Sequence, residues 1–345
     1  MTTSVPIVIL LDALLVGLLV LALAPLAIYR KATFAVMKRN FVSYFTTPTG
    51  YVFLCLFVLL SSFAAFWPHQ FFTSNMATLD QLSFAMPAIL LLFIPAITMG
   101  IWAEERRQGT DELLLTIPAD DFDIVLGKYL SAAAIFSCSL LFSQLANFSV
   151  LDYVAGGEVD LGLYFTTYLG YWFMGMAMLA VGMVASFLTS NLTLGFILGA
   201  VFNAPLALTQ YADLIISDVN TAQAISRWSM AQQFTDFGRG VVSSSSVIYF
   251  LMIVAVGIYL SMVLIGRRHW LGGRDGQSLI GHYVVRIGAL LIVAVAAAKL
   301  LADHDLVRYD ATSERISSLS PDSVKLLRSL DKKRAVQIDA YISAT

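Results

Sequence analysis

Six of the nine residues at 104–112 are charged: Glu104, Glu105, Arg106, Arg107, Asp111 and Glu112. Their spacing suits docking rather than bond-making. Gly109 breaks a helix, Thr110 carries a hydroxyl that can cap the next one, and Asp111 with Glu112 favours the positive end of its dipole. Leu113, Leu114 and Ile117 then give a short helix one apolar face, and Pro118 stops it. Glutamates and arginines side by side neutralise one another, which lowers the cost of holding the cluster near a membrane. Such an elbow either buries its apolar face in its own protein or presents it to a partner. By physics alone the two readings stand level.

Other chemistries find no footing. No phosphate-binding loop occurs, because Gly127-Lys128 lacks both the preceding glycine loop and the following hydroxyl. The chain is therefore expected not to hydrolyse ATP itself and to need no cofactor. His69, His269, His282 and His304 lie scattered, without the spacing of a zinc site. No GxSxG elbow is present. Cys55 and Cys138 each sit within an apolar run and are expected to be packing residues. Asp12 is the acid deepest in an apolar run. An intramembrane acid is a functional candidate by default, while water at the membrane surface or a partner on a neighbouring helix would explain it equally well.

The elements that position these groups are mostly apolar. Of 345 residues, 58% are hydrophobic and 13% charged, and the mean hydropathy is +0.78. Soluble domains are charged at roughly a quarter of their positions, so this is an all-α polytopic membrane protein. A net charge of −2 argues against a nucleic-acid partner. Eight apolar runs are long enough to cross: 5–29, 51–67, 84–103, 128–151, 162–188, 192–210, 247–266 and 284–301. The first lacks the basic start and short core of a secretory signal and is expected to be retained.

Between the first two runs, Lys31, Phe34, Lys38, Arg39, Phe41, Tyr44 and Phe45 set cations opposite aromatics, the pattern of a helix lying in the membrane interface, which Pro48 and Gly50 end. Trp228, Met230, Phe234 and Phe237 suggest a second such helix before the 243–246 linker. Gly170, Gly175 and Gly182 allow helices to approach closely, and Met174, Met176 and Met178 read as gap-filling packing in preference to a substrate lining. Residues 189–191 make a tight polar turn.

Basic residues set orientation. With the elbow inside, Arg30, Lys31, Lys38, Arg39, Arg106, Arg107, Lys128, Arg267, Arg268 and Arg274 fall on that side, against Arg227 and Arg239 outside before Lys299. Both termini then lie outside. The tail, 302–345, is polar, with Ser320 as an N-cap, Pro321 at the first helical position and alternation from Val336 to Ile342 that predicts a strand. About 40 residues rarely make a core, so the tail reads as the start of a truncated extracytoplasmic α/β domain.

At residues 41–51 (FVSYFTTPTGY), at the elbow from Trp102 to Pro118, at Val125-Leu126-Gly127-Lys128 and at Phe237-Gly238-Arg239-Gly240-Val241-Val242, the chain resembles the ABC-2-type permeases of ABC exporters. The resemblance is in particular to the gliding-motility and nitrous-oxide-accessory branch. Residues 308–315 (RYDATSER) and 317–321 (SSLSP) resemble the start of the gliding-motility partner protein, as if the two were fused. The resemblance implies a division into an extra N-terminal membrane helix (1–30), a six-helix permease (31–268), a loop with an additional membrane helix (269–301) and the outer tail (302–345).

It also implies a bacterial inner-membrane subunit driven by a separate ABC ATPase through a coupling helix at 109–118, paired with a second permease copy or homologue. Lys38, Arg39, Phe41, Tyr44 and Phe45 would then form a gate helix against membrane lipids, and Asn203 and Gln210 would line the path. A scaffold of a surface or motility complex and an ion-driven transporter are the alternatives. The second wants paired intramembrane acids, and Asp12 stands alone.

Overall fold

The computed structural model describes residues 4–67, 78–111, 114, 119–156, 159–211, 216, 218, 221, 226, 229–266, 280–303 and 307–329. Helix α1 (Ser4–Tyr29) leads through Arg30 into α2 (Lys31–Thr46). Thr47 is extended and Pro48 opens α3 (Pro48–Ala65). The break thus falls one residue before the proline, which fits the first helical position and pushes its predecessor out of helical geometry. Helices α4 (Asp80–Thr98) and α5 (Gly100–Gln108) form one rod interrupted at Met99. After the elbow come α6 (Asp121–Val154), α7 (Leu161–Phe187) and α8 (Leu192–Leu208). Short α9 (Met230–Gly238) and strand β1 (Val241–Ser243) precede α10 (Ser244–Gly266). Helix α11 (Ile280–Asp303), strand β2 (Arg308–Asp310) and α12 (Pro321–Ser329) complete the described chain.

Seven stretches among the described residues are long and apolar enough to cross a membrane: α1, α3, α4 with α5, α6, α7, α8 with the turn after it, and α10. The eighth expected crossing forms a 24-residue helix, α11, whose described apolar stretch, Val284–Val293, is shorter than a span. Exposed Leu21, Leu59, Leu92 and Val201 make an outer surface suited to lipid.

Helix α7 is the central post, packed against α4, α5, α6, α8, α9 and α10. Apolar burial gives little drive inside a bilayer, so close packing and buried hydrogen bonds must hold the bundle. Gly175 faces the Phe136 ring, Met174 and Met178 are buried, and three tyrosines of α7 reach its neighbours. Tyr164 donates to the Gln144 carbonyl at 2.6 Å, Asn147 donates to Tyr168 Oη at 2.8 Å, and Tyr171 shares a hydrogen bond with Ser83 at 2.8 Å.

Several expectations change. Helix α6 begins seven residues before the run read from hydropathy, so Lys128, counted as a loop cation, lies within it and is buried. Helix α9 does not float at an interface: Met230, Phe234 and Phe237 are buried, and Phe234 stacks on Tyr171 at 5.1 Å. Cys55 is exposed on α3 instead of packed inside. The expected 243–246 linker is the end of a strand and the start of α10. Asp12 is buried and accepts from Gln144 of α6 at 2.9 Å, the partner-helix alternative. Ser320 caps α12 through the Ser323 N–H at 3.1 Å. The strand expected at 336–342 lies outside the described residues.

Candidate functional site

The elbow is built where this rod leaves the bundle. At the interruption, Ser186 of α7 inserts its hydroxyl into the helix ladder: it donates to the Met99 carbonyl at 2.9 Å and lies 3.1 Å and 3.3 Å from the Trp102 and Ala103 amides. A side chain inserted into the ladder is a recognised cause of a kink, and this one separates α4 from α5. Helix α5 ends on Gly109, at φ 67°. The Gly109 and Thr110 amides bond back to the Arg106 and Glu105 carbonyls at 3.3 Å and 3.0 Å, the paired closure that a left-handed glycine permits. A new helical turn starts at once, since the Leu114 amide bonds the Thr110 carbonyl at 3.1 Å. The Thr110 hydroxyl donates back to the Glu105 carbonyl at 3.4 Å.

Each charge has a distinct environment. Glu105 is shared by two cations from different helices, Arg39 of α2 at 2.8 Å and Lys128 of α6 at 2.6 Å. Lys128 is 1% exposed. A buried ammonium is costly unless paired and hydrogen-bonded, and this one also donates to the Ile101 carbonyl at 2.6 Å and lies 4.4 Å from the Trp102 ring centre. Arg106 sits 4.2 Å over the Phe187 ring, donates to the Phe187 carbonyl and approaches Asp111 at 4.0 Å. Glu104, Arg107 and Gln108 face outward: Glu104 accepts from Arg107 and from Gln108, each at 2.6 Å. Leu114 is 4% exposed, so this part of the apolar face is buried in the chain's own bundle. Glu112, Leu113, Ile117 and Pro118 lie outside the described residues.

Helix α2 is pinned to α6 at two places. Asp123 accepts from Thr33 at 2.8 Å and from Arg30 at 3.0 Å. One turn on, Gly127 brings the backbones together, since a Cβ there would stand 2.7 Å from the Thr33 carbonyl oxygen. Phe41 and Tyr44 each contact Phe45, and Phe45 contacts Tyr51, while Lys38 is exposed. Burial pushes the Tyr44 phenol up to about 12, so it stays neutral.

The proposed path residues sit apart from the elbow. Asn203 is buried and donates to the Gly199 carbonyl of its own helix at 2.9 Å. Gly199, one turn back on the same face, lies against Pro95 of α4. Gln210 is half-buried in the turn after α8.

Residues 65–267 match the family model for ABC-2 family transporter proteins. This chain belongs to the ABC-2 family. The match runs from the end of α3 to the end of α10 and includes the whole elbow. No curated protein matches the chain. ABC-2 permeases are membrane transport subunits that work with an ABC ATPase, and the multi-pass architecture here is of that kind.

Sequence reasoning singled out Glu105 and Arg39 for different roles, and the structure joins them. It missed Lys128, Ser186 and Phe187 as parts of the same cluster, and Asp123 with Arg30 as the pin of α2 on α6. One signal was available: Lys128 has no acid three or four residues away on its own helix, so within an apolar run it requires a partner from another element.

Proposed function

We propose that this ABC-2 permease is driven by a separate ATPase subunit docking at the elbow, from the cytoplasmic side of a bacterial inner membrane. The observation that carries this is the division of the cluster. Glu105, Arg106 and Lys128 tie the elbow inward to α2, α6 and α7, while Glu104, Arg107 and Gln108 present charge outward. Docking on the outward set would be felt by the inward set, because α5 is only nine residues long and carries Glu105 and Arg106 beside the outward residues. The Arg39 bond to Glu105 then links elbow movement to α2, the lateral gate at the lipid headgroups. Pairing of two permease copies would place a substrate path at their seam, with Asn203 and Gln210 on its wall. Residues 308–321 support fusion of a gliding-motility-type permease to the start of its partner protein, with the tail extracytoplasmic.

Charge reversal tests the docking face. Glu104→Lys with Arg107→Glu, in the chain reconstituted with its ATPase subunit, is expected to lower permease-stimulated ATP hydrolysis about tenfold, in the range of ordinary coupling energies. Unchanged hydrolysis in an intact complex would sink the assignment.

A further inference from the structure

Helix α7 is gripped at both ends. At the elbow end, Ser186 bridges the junction of α4 and α5, and the Phe187 carbonyl and ring hold Arg106. At the other end, the Asp160 carboxylate divides its two oxygens. Oδ1 caps α7 by accepting from the Leu163 amide at 3.0 Å, and Oδ2 accepts from the Ser313 amide of the tail at 3.1 Å. Gly162, in the first turn, leaves room for the tail backbone alone: a Cβ there would meet the Ala311 carbonyl oxygen at 1.7 Å.

The tail is held from residue 307 to 317. Strand β2 pairs antiparallel with β1, in the register Val241 to Asp310 and Ser243 to Arg308. The pairing extends on both sides, from the Ala311 amide to the Gly240 carbonyl and from the Ser244 amide to the Val307 carbonyl, each at 2.9 Å. Arg308 reaches Asp236 of α9 at 3.1 Å, Ser317 donates to the Arg239 carbonyl at 3.0 Å, and Thr312 is 6% exposed.

Between the two grips α7 has 27 residues and no proline, a rod of about 40 Å at 1.5 Å per residue. Helix α4 beside it contains Pro87 and Pro95, each of which removes a backbone hydrogen bond from the helix ladder, so it transmits axial or rocking movement less directly.

We propose that α7 carries displacement of the elbow to residues 307–317, making the extracytoplasmic tail a second output of the permease beside any substrate path. This rests on the elbow being the point of input. In that arrangement the tail is a strap whose fit on α7, α9 and β1 follows the packing of the bundle, so that force applied at the elbow is felt on the opposite side of the membrane.

Hydrogen exchange of the full chain in lipid nanodiscs tests the path. Ser186→Ala removes the hydroxyl at the α4–α5 junction and is expected to raise amide exchange at residues 308–313 by about threefold or more, since loosely held segments open at lower free energy. Ser186→Thr keeps a hydroxyl and is expected to restore protection. Ser261→Ala, which deletes a buried hydroxyl bonded within α10, is expected to leave the tail unchanged. Gly162→Ala acts directly on the tail contact and is expected to raise exchange there.

Wild-type exchange after Ser186→Ala, with raised exchange after Gly162→Ala, would overturn the proposal. So would an equal rise after Ser261→Ala, which would mark general loosening. A second arm adds the ATPase subunit and nucleotide, and tail exchange is expected to change with the nucleotide state. If Ser186→Ala acts and nucleotide does not, the α7 path stands and the ATPase reading of the elbow falls.

Discussion

Glu105 is the residue on which the inner cluster depends, because it neutralises a lysine that is almost wholly buried. Removing one partner of a buried pair typically costs about 3–5 kcal/mol, whereas replacing both with apolar groups is far milder. Glu105→Leu is accordingly expected to lower the thermal midpoint sharply in detergent. Glu105→Leu combined with Lys128→Met is expected to recover most of it while still lacking the tie to Arg39. At the other end of the molecule, hydrogen bonds from Thr312 hold the Asp310 carboxyl below its ordinary 3.8. A lowered folded value means that the stabilisation is complete above 3.8 and fades as pH falls through the folded value. Protease cleavage at Arg315 is therefore expected to be unchanged from neutral pH to about 5 and to quicken only below the ordinary carboxylate range. Glutamates, arginines and Gly109 were legible in the sequence because charge and a helix break stand out against apolar neighbours. Lys128 was not, because the start of α6 was read from hydropathy and the lysine was assigned to water.

At the scale of elements, the seat of α2 on α6 depends on one missing side chain. Gly127→Val would drive a branched group into the Thr33 carbonyl and the Val36 side chain. Overpacking of this kind typically costs about 1–3 kcal/mol. The expected result is earlier thermal unfolding and loss of a disulfide engineered between α2 and α6, and an unchanged cross-linking rate would show that α2 is seated elsewhere. The helices themselves were readable from long apolar runs, and the turn at 189–191 from its polar residues. Asn191 does cap α8, accepting from the Thr193 amide at 2.9 Å. The interruption at Met99 was not readable, since the side chain that enters it, Ser186, is 87 residues away in the chain. The burial of α9 was hidden for a similar reason: its amphipathic pattern fits a lipid surface as well as it fits the post of α7.

For the whole molecule, the ABC-2 fold was legible because its motifs occur in a fixed order along the chain. The joining of tail to permease was not, because a three-residue strand leaves almost no periodicity to read. Once docked, the tail lies at the end of the bundle opposite the elbow, which fits three crossings, α6, α7 and α8, between residue 108 and β1, and an even pair, α10 with α11, between β1 and β2. Both the driving site and the orientation then reduce to which end of the bundle meets the ATPase. A photo-reactive residue at Gln108, exposed beside the outward charges, compared with one at Tyr153, 84% exposed at the far end of α6, gives the most direct answer. Capture of the ATPase subunit from position 108 and not from 153 is the result expected. Capture from 153 alone, or equally from both, would contradict the account.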